Sequence, residues 1–207
     1  MRWFVCFLVI SLGNVVSASE LRTDLQGRQL IVHYDGPLDK KMQRLAKNLR
    51  SLDFFAATAL NTSSPTPETT GFVQNFHSLQ NAQAAALRYC REKASNADDC
   101  TLWISVVPRN YDTSKRRLTL SKIGIESYKA EERWSNTRRS NGEYRAIAIS
   151  ETNLLARSAT RPTPEDAQNE ALSKCKQRVA QIPAAEKTLL FGTNSTNCRL
   201  IRVFGTE

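Results

Sequence analysis

Residues 81–91, Asn-Ala-Gln-Ala-Ala-Ala-Leu-Arg-Tyr-Cys-Arg, recur 85 positions later as residues 166–176, Asp-Ala-Gln-Asn-Glu-Ala-Leu-Ser-Lys-Cys-Lys. Ala82, Gln83, Ala86, Leu87 and Cys90 coincide with Ala167, Gln168, Ala171, Leu172 and Cys175. Upstream, Phe55 to Leu60 lies over Tyr144 to Ile149 at an offset of 89, and downstream Cys100 to Ile104 matches Cys198 to Arg202. The change from 89 to 85 is a longer first-copy hairpin loop, Thr62 to Thr70, containing two prolines. Self-similarity of this kind means one supersecondary unit built twice. Whatever the first copy folds into, the second must accommodate with the same local rules.

Those rules are legible in both copies. Ser78 and Thr163 are N-cap residues whose hydroxyls can accept from free amides of the first helical turn. Thr163-Pro164-Glu165-Asp166 adds proline at the first helical position and acid in the first turn. Leu79, Ala82, Ala86 and Cys90 then share one stripe, as do Ala167, Ala171, Cys175 and Val179, and the alanines let each helix lie close on a sheet. The pattern predicts strands over 54–60, 71–76 and 101–107 in the first copy, and over 144–150, 154–159 and 199–204 in the second. The recurring unit is strand, strand, helix, strand. A further layer is expected ahead of each: a strand over 28–34 and a helix carrying Leu38, Met42, Leu45, Leu49 and Leu52, matched by a strand over 117–125 and a shorter helix over 128–139. The fold class is therefore α+β, two tandem β-β-α-β or β-α-β-β-α-β (ferredoxin-like) units, with helices on one face of antiparallel sheets. The boundaries read as a leader over 1–18, a first unit over 19–108, a linker over 109–116 and a second unit over 117–207.

The leader is expected from Arg2, the apolar run Trp3 to Leu12, and the small-residue end at Ala18. These form a secretory signal peptide, too short to span a bilayer. No later segment is long and apolar enough to span either. Cleavage removes Cys6 and leaves Cys90, Cys100, Cys175 and Cys198, an even number for an oxidising periplasmic or extracellular setting. Four cysteines allow three pairings, and the repeat selects Cys90–Cys100 with Cys175–Cys198. The close pairs of a zinc site and the spacing of redox-active cysteines are missing.

The pattern Ala146-Ile147-Ala148-Ile149-Ser150, a turn, Thr163, then Ala167, Ala171-Leu172, Cys175 and Cys198 resembles a family of exported bacterial domains of unknown function. In that family a strand of the Ala-Ile-Ala-Tyr-Ser type precedes a Ser-capped, Ala-rich helix tied to the next strand by a cysteine pair. The resemblance covers about 60 residues of the second copy and, more faintly, residues 55–107. Ile149 replaces the family's aromatic residue, and the Cys175–Cys198 interval is longer than its loop. It implies fold and compartment and brings no catalytic residues. Separately, Gly71 to Phe76, followed by Ser78 and the Ala-rich helix, is similar to part of a sporulation-related repeat. Those ferredoxin-like domains bind peptidoglycan glycan strands.

A search for catalytic chemistry finds little. His33 and His77 are the two histidines. His33 ends a predicted strand and His77 precedes a helix cap, and neither has a nucleophile and an orienting acid in a recognisable local pattern. The acid pairs Glu131-Glu132, Asp98-Asp99 and Glu165-Asp166 read as solvated surface or cap residues rather than a glycosidase pair. No phosphate loop, nucleotide fingerprint or metal motif is present, so no cofactor and no metal are expected. Asn61-Thr62-Ser63 and Asn194-Ser195-Thr196 are sequons.

Charge is the remaining signal. The chain carries a formal net charge of +9. Its cations cluster at Lys40, Lys41, Arg44 and Lys47, and again at Arg116, Arg117, Arg133, Arg138 and Arg139, and such patches favour anionic partners. The expectation is a non-enzymatic envelope protein contacting an anionic polymer or a protein partner through these residues. The alternatives are a secreted effector or inhibitor recognising a partner through the 61–71 loop, and a hydrolase using His33 or an acid pair. Export, and the lack of the aromatic strand motif of RNA-binding sheets, argue against nucleic acid.

Overall fold

The computed structural model describes residues 21–112, 118–137, 142–151, 154–192 and 197–205. The leader and Arg116, Arg117, Arg138 and Arg139 lie outside the described residues. The chain is α+β, and its described residues form two antiparallel sheets and five α-helices.

The first unit runs β1 (Gln29–Val32), α1 (Lys40–Leu49), β2 (Ala56–Asn61), β3 (Gly71–Val73), α2 (Leu79–Lys93) and β4 (Cys100–Val107). Its sheet order is β1-β4-β2-β3, so β4 lies between β1 and β2. The second unit runs α3 (Lys122–Thr137), β5 (Tyr144–Ser150), β6 (Leu155–Arg157), α4 (Pro164–Ala180), α5 (Ala184–Phe191) and β7 (Cys198–Gly205), with sheet order β6-β5-β7.

The two units repeat one another's register residue for residue. Thr58 pairs with Phe72 and Ile147 with Arg157, so the offsets of 89 and 85 carry the first hairpin onto the second without a slip. Thr58 pairs with Ile104 and Ala59 with Leu102, skipping Trp103; Ile147 pairs with Arg202 and Ala148 with Leu200, skipping Ile201. The irregularity therefore falls at equivalent positions, 98 residues apart on β4 and β7. A β-bulge re-aims the strand, and placing it identically gives each sheet the same local bend. Ser78 and Thr163 cap α2 and α4 by accepting from Asn81 N–H and Asp166 N–H. Each disulfide joins a cysteine of a buried helical stripe to the first residue of the last strand: Cys90–Cys100 and Cys175–Cys198, with Cα atoms 6.0 and 6.1 Å apart.

Alternation along β2 decides where the helices go. Ala57 and Ala59 face α2, whereas Leu60 faces the cluster built by Met42 and Leu49 of α1. Helices on one face were expected; α1 and α2 instead cover opposite faces of the first sheet. The reason is that β2 is apolar on both faces, every residue being buried, and a two-sided strand needs a cover on each side. Gly71 lets α2 approach, because a Cβ there would fall 2.0 Å from the Ala86 carbonyl oxygen.

The expected strand over 117–125 is replaced. Leu118 makes one isolated parallel bridge to Leu21, and α3 begins at Lys122. The described part of this segment turns toward the first unit: Thr119 Oγ1 donates to the His77 carbonyl, and Ser121 N–H donates to His77 Nδ1 at 3.1 Å. Ser121 Oγ then accepts from Gly124 N–H and starts the helix. By position and by the face it covers, α3 is the counterpart of α1. Nothing among the described residues stands in for β1.

The two units share a core. One face of the second sheet packs its alanines, Ala146 and Ala148, against Ala167, Ala171 and Cys175 of α4. The other face sends Ile147, Ile149, Ile201 and Phe204 into the cluster that holds Ala82, Ala85 and Ala86 of α2 with Phe55 and Phe76. Among the described residues, no helix is long and apolar enough to cross a membrane. Two closed disulfides suit an oxidising compartment.

Candidate functional site

The basic residues of α1 stand where amphipathic spacing puts them. Met42 and Leu49 point into the core, and Lys40, Lys41, Arg44 and Lys47 are all exposed. Asp39 is occupied as the N-cap, accepting from Met42 N–H. None of the four cations forms an ion pair among the described residues. Lys40, Arg44 and Lys47 follow i, i+4, i+7 spacing, so they make a continuous positive stripe along one side of the helix. Arg133 is exposed on α3, a different helix, so the structure does not join it to this stripe.

A second basic locus was not read from the sequence. Ile123, Ser127 and Glu131 of α3, Arg145 of β5, Arg157 of β6 and Arg178 of α4 line a cleft of about 630 Å³. Glu131, read as a solvated acid, is 4% exposed. Arg145 approaches one carboxylate oxygen at 3.4 Å and Arg157 the other at 3.2 Å. The correction has a direct cause: the α3 turn that buries Tyr128 also turns Glu131 inward, and a buried carboxylate requires partners. Arg145 also donates to Thr160 Oγ1 at 3.0 Å and lies over the Trp134 ring, 4.3 Å from its centre. Arg178 donates to the Leu155 carbonyl. Two guanidinium groups thus share one carboxylate, and with Arg178 the lining of the cleft is net positive. A charged residue in the middle of an otherwise buried helical stripe was the available signal, and it was outweighed by the polar residues around it.

The histidines divide. His33 Nε2 lies 2.9 Å from Ser105 Oγ, and Gln83 Nε2 donates to the same hydroxyl at 3.1 Å. Ser105 is fully buried, and among the described residues no carboxylate bonds the His33 ring. His77 is 2% exposed and accepts at Nδ1 from Ser121 N–H, so Nε2 carries the proton and faces the Leu154 carbonyl at 3.3 Å. Burial pushes its pKa down to about 4. It is a seam residue joining the units.

The 61–71 loop is tied to the body. Asn61 Oδ1 accepts from Ser63 N–H and Ser64 N–H at 2.9 and 3.1 Å, Thr70 Oγ1 donates to the Thr66 carbonyl, and Lys93 Nζ donates to the Thr70 carbonyl at 3.0 Å. Asn61 is buried, which closes its sequon in the folded state. The Asn194 sequon lies outside the described residues.

Comparison with known proteins found no matching family model, no similar curated protein and no similar solved structure.

Proposed function

We propose that this chain is an exported, non-enzymatic binding protein of the cell envelope, built from a duplicated unit and holding an anionic polymer or an acidic protein partner through its basic faces. The carrying observation is the stripe on α1. The helix spends its apolar side on the core and leaves Lys40, Lys41, Arg44 and Lys47 exposed and outside any ion pair among the described residues. Cations arranged this way on a folded helix favour a surface of opposite charge. The arginine cleft supplies a second, more enclosed place for a carboxylate or phosphate group, since guanidinium forks match either. The resemblance to exported domains fits the same compartment.

The test is retention of the disulfide-bonded protein on anionic lipid vesicles and on a soluble polyphosphate, across a salt series. Each cation near such a surface contributes about 1 kcal/mol at low salt. Reversing all four α1 cations to glutamate is therefore expected to weaken retention by at least about a thousandfold, with folding checked by circular dichroism. Retention unchanged by both salt and reversal overturns the reading.

One observation favours a hydrolase: the 2.9 Å contact of His33 with Ser105. Burial of the hydroxyl and the Gln83 bond weigh against it, because a nucleophile must meet its substrate. Labelling of Ser105 by an activated phosphonate, lost in His33→Ala, is the result that reading requires.

A further inference from the structure

We propose that the outer edge of β7 is a docking site for an extended segment of a partner polypeptide that carries acidic side chains and adds to the second sheet as a fourth strand.

The first unit shows what such a strand does. On β4, β1 pairs antiparallel, with Gln29 opposite Val107, Leu30 opposite Val106, Ile31 opposite Ser105 and Val32 opposite Ile104. The offset of 98 that superposes β4 on β7 carries those partners to Gly205, Phe204, Val203 and Arg202. In the second unit that slot is empty among the described residues, because the segment at 118–121 has gone to Leu21 and His77 instead. β7 therefore ends its sheet, with β5 as its one neighbour. Its burial shows the difference. From Trp103 to Val107 every residue of β4 is buried, whereas on the equivalent stretch of β7 only Ile201 and Phe204 are. An eight-residue edge strand whose outer backbone groups have no partner among the described residues is a template for another strand, and proteins that keep such an edge blunt it or use it.

Side chains at the edge choose the occupant. Leu200 and Val203 pack on the α4 side, so Arg199, Arg202 and Phe204 lie on the other face, where Arg202 and Phe204 meet Tyr128 of α3. Arg202 lies 3.4 Å from Glu132, and Arg199 is attracted to Glu151, which follows β5, without forming an ion pair among the described residues. Both charged side chains of β7 are arginines, so the strand itself presents positive charge along this edge. Like charges directly opposed across a ladder are destabilising, which disfavours a second β7 as the occupant and favours acids. Transferring the β1 register places an apolar residue against Phe204, as Leu30 is placed against Val106, and an acid two residues later against Arg202. The fitting segment reads apolar-x-acidic in an extended stretch, with a further acid toward Arg199.

This inference stands apart from the α1 stripe, and its test separates the two. The probe is a synthetic peptide with the sequence of residues 28–33 and glutamate in place of Val32, titrated into the full disulfide-bonded chain by amide NMR. Expected are shifts concentrated on Arg199 to Gly205 and affinity at least tenfold weaker for a peptide N-methylated on its β7-facing amides. Arg202→Glu is expected to invert the preference, so that lysine at the Val32 position binds better than glutamate. Reversal of the α1 cations is expected to leave peptide affinity unchanged, so either proposal can fail while the other stands. Binding indifferent to N-methylation, shifts elsewhere on the molecule, or β7 outer amides already protected from exchange in the free protein each overturn the proposal.

Discussion

His77 sits where three segments meet, and its ring is held as a neutral donor-acceptor between Ser121 N–H and the Leu154 carbonyl. Burial is the main force lowering its pKa to about 4; the Leu154 carbonyl opposes that, and nearby Arg199 adds to it. In the unfolded chain the same imidazole takes a proton near pH 6.5. Between those two values the unfolded state binds more protons, so stability is lost as pH falls through 6.5 toward 4. The full effect is about 3 kcal/mol. Urea unfolding at pH 7.5 and pH 4.5 is expected to show the drop, and the His77→Gln variant, whatever its absolute stability, to lose that part of the slope. An equal pH slope in the variant removes the assignment. His77 read as a polar turn residue in sequence; its burial comes from a segment 42 and 44 residues away, which no local pattern announces.

At the scale of elements, most of the second-copy framework was readable because each piece obeys a local rule that occurs twice. The caps at Ser78 and Thr163, the buried stripes of α2 and α4, and the cysteine pairing all follow from residues close in sequence. What was not readable depends on distant partners. The strand expected over 117–125 yields to a helix because Ser121 caps it and His77 holds the preceding segment. The helix α5 was missed because it lies in the span that the second copy has and the first lacks. It is held from outside: Arg88 of α2 donates to the Leu189 and Leu190 carbonyls at 2.6 and 2.7 Å, closing the end of α5, and Gly192 follows with a left-handed φ of 74°. Charged donors at carbonyls a helix leaves free are worth about 1.5–3 kcal/mol each at most. Arg88→Ala is expected to raise amide exchange in α5 well above that in α4, while Arg88→Lys restores part of the protection. Uniform change across both helices assigns Arg88 to the core instead. The arginine cleft belongs here too, since its walls come from α3, β5, β6 and α4, which only the fold brings together.

At the scale of the molecule, the decisive fact is that the two units do not close separate cores. A unit that buried its own apolar surface would unfold alone, and two of them would give two transitions. Here Ile147, Ile149, Ile201 and Phe204 of the second sheet lie in one cluster with Leu79, Ala82 and Ala86 of the first unit's helix. Losing either unit strips the other of that contact, and at about 25 cal/mol per Å² of apolar area the loss of several large side chains is comparable to the whole stability of a small domain. The chain is therefore expected to unfold in one cooperative step. Trp103 reports on the first sheet and Trp134 on α3 beside the arginine cleft, so each unit carries its own fluorophore. In the oxidised protein prepared without residues 1–18, Trp103→Phe and Trp134→Phe leave one reporter each, and denaturation followed by the remaining tryptophan is expected to give coincident midpoints and slopes once each variant's own far-ultraviolet dichroism is used as reference. Two separated transitions would mean that the second sheet closes without the first unit's helix, and the shared cluster would then contribute contact without coupling.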